Sequence, residues 1–458
     1  ASDNPAVGRN AMDTNTTGTS NTAVGQSALN ANTTANNNTA VGYHSLLSNT
    51  TGTQNVAVGS HALDANTTGN DNVALGYVAL STVTTGDNNV AIGTAALQNN
   101  TTADSNTAVG YLSLQHNTTG TGGVAIGRST LQANTTGNYN IAIGQNALDA
   151  NTTGTQNTAV GLSCLGDNTT GSFNNALGVG SLANNTTADH NTAVGHSTLN
   201  SNTTGASNVA VGSSALLSNT TANNNVAVGH AALTANTTGA DNTSVGQGSL
   251  QANTTASNNT AVGRDALNSC TTGAFNVAIG PITGDNLTTG TELIAIGYNA
   301  GGGVTTGSNN VCIGRSTGNH DVGLTGGAQN VIIGDFSDVH DANGTNQIVL
   351  GYNITSPAND HFAFGKPSNV VSNQFTSNAT FSRTSDVNKK TNIEDTDLGL
   401  SFINELRPVT FNWKPNNEFP KHYNDYKEHE NDMDTETNLY GMIAQDVEKA
   451  LDKVGHKN

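Results

Sequence analysis

The sequence predicts a mainly β chain, a parallel solenoid of 17-residue coils followed by a small α+β domain. Three observations predict it. Ala-Val-Gly at 6–8 returns at 23–25 and 40–42, and eighteen steps of 17 residues carry the phase to Cys312-Ile313-Gly314, with Gly third in all nineteen registers. A second apolar column, Leu29, Leu46, Leu63 and onward to Leu267, keeps the same period, with Met12 leading it. From residue 385 the composition becomes that of an ordinary globular segment, with Lys, Glu and the single Trp413. A period this short makes each repeat one coil, unable to bury its apolar side without its neighbours. A long rigid surface is expected from 1–316, rather than a pocketed enzyme.

One coil, Asn21 to Asn37, reads in order. Thr22-Ala23-Val24 is a short strand. Alternation puts its flanking residues on one face and Ala on the other. The expectation is that the bulky face fills the interior and the Ala face meets a neighbouring subunit. Gly25 needs positive φ or a close backbone approach. Leu29 begins the second buried column. Asn-Thr-Thr-Gly is turn chemistry, and stacked Asn side chains can hydrogen-bond from coil to coil. At ~4.8 Å per coil, nineteen coils extend for roughly 90 Å. Each coil offers about three medium apolar residues, contributing roughly 1.5–3 kcal/mol apiece on burial. Ordering the backbone costs ~1–2 kcal/mol per residue, so the rod calls for oligomerisation.

Composition narrows the function. The chain is 34% hydrophobic and 10% charged, which without the strict period would suggest disorder. Its net charge is −18, no Lys precedes Lys366, and only Arg9, Arg128, Arg264 and Arg315 are basic before it. An acidic, Lys-free rod repels a phosphate backbone, so nucleic-acid binding is not expected. Cys164, Cys270 and Cys312 sit at different phases of the coil, which predicts neither disulfides nor a zinc site. No apolar run is long enough for a membrane span. The start at Ala1 without a leader is read as a processed chain or a fragment.

Asn-Val-Ala-Val-Gly at 55–59, Asn-Ile-Ala-Ile-Gly at 140–144 and Asn-Val-Ala-Ile-Gly at 276–280 resemble the head repeats of trimeric autotransporter (YadA-like) adhesins. The resemblance implies a trimeric left-handed parallel β-roll over 1–316. After Gly314 the phase slips, to Ile332, Val349 and Ala363, and 317–384 is read as neck and linker. In 385–458, Leu398 to Leu406 is expected to be a helix, Val409 to Trp413 a strand and Ile443 to Leu451 a second helix.

Three ordered blocks in this last segment resemble a second family, the intramolecular chaperone of the S74 peptidases. They are Ser385 to Ile393, Leu406-Arg407-Pro408-Val409-Thr410-Phe411-Asn412-Trp413, and Gly441-Met442-Ile443-Ala444-Gln445-Asp446-Val447-Glu448. That domain trimerises phage tail spikes and fibres, helps to fold their stalks and then cuts itself off. The resemblance implies Ser385 as nucleophile, Lys390 as base and a scissile bond near Asp386. The chemistry is sound: a Ser hydroxyl needs a base to take its proton, and a Lys serves only when burial lowers its pKa.

The Asn-Thr-Thr triplets match N-glycosylation acceptors, but a structural Asn ladder is preferred. The Thr columns resemble an ice-binding face, although adjacent Thr residues should present only one column. His320-Asp321, His340-Asp341 and Asp360-His361 could meet around a threefold axis and bind a metal, but they lack a regular ligand spacing and are read as polar side chains facing water. Neither metal nor cofactor is expected. The expected protein is a homotrimeric phage or viral tail fibre, extracellular on the virion. Its partners would be a host glycan or protein receptor and other tail proteins, with no membrane insertion. A cellular surface adhesin and a glycan depolymerase with an inter-subunit site are the alternatives.

Overall fold

The computed structural model describes residues 3–376, 399–421, 435–436 and 438–455. It divides into two compact units, Ala1–Thr380 and Phe381–Asn458.

The first unit is the solenoid. Its strands, β1 (Ala6–Val7) to β19 (Val311–Ile313), occur once per coil. Each pairs in parallel with the next at a 17-residue offset, Ala23 opposite Ala40 and Ala295 opposite Cys312. The pairing continues past residue 316. Strands β20 (Val331–Ile333), β21 (Ile348–Gly351) and β22 (His361–Lys366) extend the parallel ladder. Ile332, Val349 and Ala363, the residues of the slipped phase, are the fully buried strand positions there. Strand β23 (Asn369–Gln374) folds back antiparallel on β22.

The facing of each strand is the reverse of the expectation. Ala23, Ala40, Ala57 and their successors are fully buried, whereas Val24 is 39% exposed, Leu75 45% and Leu177 51%. The Ala face points into the coil and the bulky face points out. Volume explains it. The interior already holds the Leu column and a small residue before each Leu, such as Ala28, Ser45, Ala62 and Cys164. Only a methyl fits opposite them in so narrow a roll.

Two conformational devices close the coils as far as Leu267. From Gly8 to Gly314 the repeat glycines have φ between +126° and +143°, and an added Cβ would overlap the carbonyl of the next coil's glycine at nearly every one. Both reasons foreseen for Gly25 therefore operate at once. The Leu residues from Leu29 to Leu267 have φ between +48° and +54°. A left-handed Leu costs roughly 1–2 kcal/mol. Complete burial of its side chain contributes roughly 1.5–3 kcal/mol, enough to hold it there.

The turn asparagines are interior. Asn38 lies before its strand. Its backbone N–H donates to Asn21 Oδ1 (2.9 Å) and its Nδ2 donates to the Gly52 carbonyl (2.9 Å). In the other column, Asn32 Nδ2 donates to Asn15 Oδ1 (2.8 Å) and to the Ala35 carbonyl (3.2 Å). These bonds recur from coil to coil, so two polar ladders line the core with most of their hydrogen bonds made internally; Oδ1 of Asn66 and of Asn253 is buried without a partner where Val83 and Cys270 interrupt the column.

In the second unit, helix α1 (Leu400–Glu405) leads to β24 (Pro408–Phe411). Strand β25 (Leu439–Met442) and helix α2 (Ala444–Lys453) follow. The strands form an antiparallel pair, with Pro408 opposite Met442 and Phe411 opposite Leu439. Each expected element is present within two residues of its expected bounds.

Candidate functional site

Ser385, Asp386 and Lys390 lie outside the described residues. The other two blocks of the C-terminal resemblance are described, and the fold brings them together. Val409 faces Gly441 across the β24–β25 pair. A Cβ on Gly441 would sit 3.2 Å from the Phe411 ring, so the missing side chain leaves room for that ring. Phe411 packs edge-on against Trp413, with centroids 5.5 Å apart.

An ion pair joins the same blocks. Arg407 Nη2 and Nε donate to Asp446 Oδ2 at 2.7 and 3.2 Å. The Arg407 hydrogen bonds hold the Asp446 carboxyl below the usual carboxylate range, with Lys449 adding to the effect. Lys453 Nζ donates to Glu405 Oε2 (2.7 Å), tying α2 to α1. These side chains line a shallow polar cleft with Ala450 at its base. Elsewhere in the unit Leu400, Ile403 and Met442 are exposed apolar side chains, at 75%, 58% and 52%. The Arg407–Asp446 pair spans 39 residues and follows from the hairpin register, which sequence reading did not resolve.

The rod offers no nucleophile from its cysteines. Cys164, Cys270 and Cys312 are free and buried in three different columns. Burial pushes their thiols up to about 12, 11 and 12 respectively. They act as small apolar side chains.

The sequon asparagines are structural. Asn32, Asn49 and Asn66 are fully buried, with their amides engaged in the ladder. A glycan on any of them would prevent the coil from closing. Of the adjacent threonines, the first is half-buried in most coils and its hydroxyl donates along the rod, as from Thr50 to the Thr67 carbonyl (3.0 Å). The second is exposed in every coil from Thr17 to Thr306, so one Thr column is fully presented.

Two of the three His-Asp pairs, His320-Asp321 and Asp360-His361, sit where the period breaks. The 20-residue step from Cys312 to Ile332 folds its extra residues around Asp338, which is fully buried. Asp338 Oδ2 accepts backbone N–H donors from His320, Asp321, Val322 and Gly323 at 2.9–3.2 Å, and Oδ1 accepts that of Val339 at 2.9 Å. His320 pairs with its neighbour Asp321 at 3.0 Å. Among the described residues, no three His, Cys, Asp or Glu side chains come together as a metal site. Nor is any described helix long and apolar enough to cross a membrane.

An uninterrupted surface feature of the rod is the outward strand column. Every residue after the buried strand position, from Val7 through Val24, Leu75, Ile143 and Ile313 to Leu350, is Val, Ile or Leu. All are at least partly exposed. None is charged, over the whole length of the ladder.

Residues 385–456 match the family model Peptidase_S74, chaperone of endosialidase. The chain thus carries an S74 chaperone domain behind a parallel β-solenoid. No curated protein and no solved structure matches the chain.

Proposed function

We propose that this chain is a homotrimeric host-attachment fibre of a phage or related virus, assembled and then released by its C-terminal chaperone. The observation that carries the reading is an S74 chaperone domain behind a long solenoid whose outer strand face is apolar and uncharged. A chaperone domain that gathers three chains suits a rod with an uncovered apolar stripe. The Val, Ile and Leu column, and not the Ala column, then packs at the subunit contact. Such a stripe repeats once per coil, so it is complementary along its length only to a surface of the same pitch. Another copy in parallel register has that pitch.

In this reading residues 1–316 are the reaching rod, 317–384 the neck and linker, and 385–458 the chaperone. The receptor is a glycan or protein on the host surface, and other virion proteins hold the rod. The one chemical step is a single self-cleavage. The Ser385 hydroxyl attacks the peptide carbonyl near Asp386 as neutral Lys390 takes its proton. The amine leaves with a proton, and water later frees the ester.

The test is the intact mass of denatured protein beside that of Ser385→Ala. Loss of a C-terminal piece beginning near Asp386, in the wild type only, is the expected result. A full-length mass for both proteins would overturn the cleavage step.

A further inference from the structure

Five of the six tyrosines before residue 381 share one phase of the coil, directly after the repeat glycine: Tyr43, Tyr77, Tyr111, Tyr298 and Tyr352. The first three occupy alternate coils, with Ser60 and Thr94 between them. Their exposures are 44%, 58% and 50%. The backbone of these positions is tied to the following coil. The carbonyls of Tyr43, Tyr77 and Tyr111 accept the N–H of His61 (2.9 Å), Ala95 (3.0 Å) and Ser129 (2.9 Å) in the following coil. Two histidines pack on the Tyr43 ring: His44 lies parallel to it, with centroids 3.8 Å apart, and His61 meets it edge-on at 5.2 Å.

We propose that Tyr43, Tyr77 and Tyr111 form a stacking platform for an extended, neutral β-linked polysaccharide. Two coils advance roughly 10 Å, about the length of one disaccharide in an extended chain. In such a chain alternate sugars turn the same face to one side, so a ring on every second coil meets equivalent faces. The axial C–H bonds of a pyranose present weakly positive hydrogens to the negative face of the ring. Tyr offers that contact with little conformational entropy to lose. Thr94 and Ser60, whose hydroxyl also lies 3.0 Å from His61 Nδ1, sit beneath the intervening sugars with hydroxyls to hydrogen-bond. No charged residue shares this phase from Gln26 to Tyr111, and the net charge of −18 disfavours an acidic glycan. The biological role rests on the reading of the rod as an attachment surface, but the platform itself does not.

Calorimetry of the full chain with cellohexaose and chitohexaose tests it. Binding is expected for the hexasaccharides, at least tenfold weaker binding for the trisaccharides, and none for helical maltohexaose. Tyr43→Ala/Tyr77→Ala/Tyr111→Ala should abolish binding. Tyr77→Thr/Thr94→Tyr keeps the composition, breaks the two-coil spacing and should weaken binding at least tenfold. Binding of neither hexasaccharide, or equal binding by the spacing variant, would overturn the proposal. So would a changed sedimentation coefficient in the triple variant, which would place the tyrosines in the subunit contact. If the wild type is trimeric and cleaved yet binds no sugar, only the platform fails. If it is monomeric or uncut yet binds with the expected spacing dependence, the platform stands without the fibre reading.

Discussion

Ala159 and Leu165 share one coil and are both fully buried, so the methyl of one is the space left by the other. Ala159→Leu should cost about 1–3 kcal/mol from overpacking. The chain's own departure supports this volume limit. Ser244 stands in the Ala column, adds one oxygen, and bonds to the Ser249 carbonyl at 2.9 Å. Carboxylates obey the same accounting of burial. Partial burial, with Asp167 and Asp265 adding a like charge, raises the pKa of Asp149 and Asp285 above the ordinary carboxylate range. A carboxyl raised in the folded state binds its proton more tightly there than in the unfolded chain. Its contribution to stability is therefore present at low pH and lost as pH rises through the folded value. Asp149→Asn/Asp285→Asn should stabilise the rod at neutral pH and make its melting temperature fall less between about pH 4 and pH 7 than that of the wild type. Melting curves of the two proteins across that range would check it, and parallel pH profiles would contradict it.

The coil is the element whose logic was most and least legible. Its period, its strand, its glycine and its Leu column follow from spacing alone, since only a solenoid keeps these phases over three hundred residues. Which strand face is inside does not follow. Alternation defines two faces, and the volume left by the Leu column chooses between them. The Asn residues resembled turn surface because their partners lie one coil away, where local patterning carries no information. Nor did spacing reveal how the core is conserved as the Leu column ends. Gly284, Gly301 and Gly318 take the Leu positions, while Cys312, Ile332 and Val349 enlarge the Ala column and Leu287, Val304 and Leu324 replace ladder asparagines. Bulk moves between columns at nearly constant total volume. Because coils touch only their neighbours, damage should stay local. Leu165→Ala should cost about 2–5 kcal/mol, with faster amide exchange in 148–182 and unchanged exchange beyond residue 230. Hydrogen exchange resolved by peptide would show it, and uniform loss of protection along the rod would refute nearest-neighbour coupling.

For the whole molecule, the outward column decides between a lone rod and an assembly. A side chain that is half exposed in the single chain can be changed there at little cost, usually within about 0.5 kcal/mol. The same change at a subunit contact buries an unpaired charge, a cost of several kcal/mol. Ile143→Lys/Val160→Lys/Leu177→Lys places three charges along one stretch of the apolar column. Thr136→Lys/Thr153→Lys/Thr170→Lys places three on the exposed Thr column of coils in the same region, and serves as its control. The first variant should keep its β-sheet signature by circular dichroism yet sediment as a monomer, whereas the control remains trimeric. If both variants stay trimeric, the chains meet elsewhere on the rod or through the chaperone unit alone. If the wild type is already monomeric, the apolar stripe faces something other than its own copy.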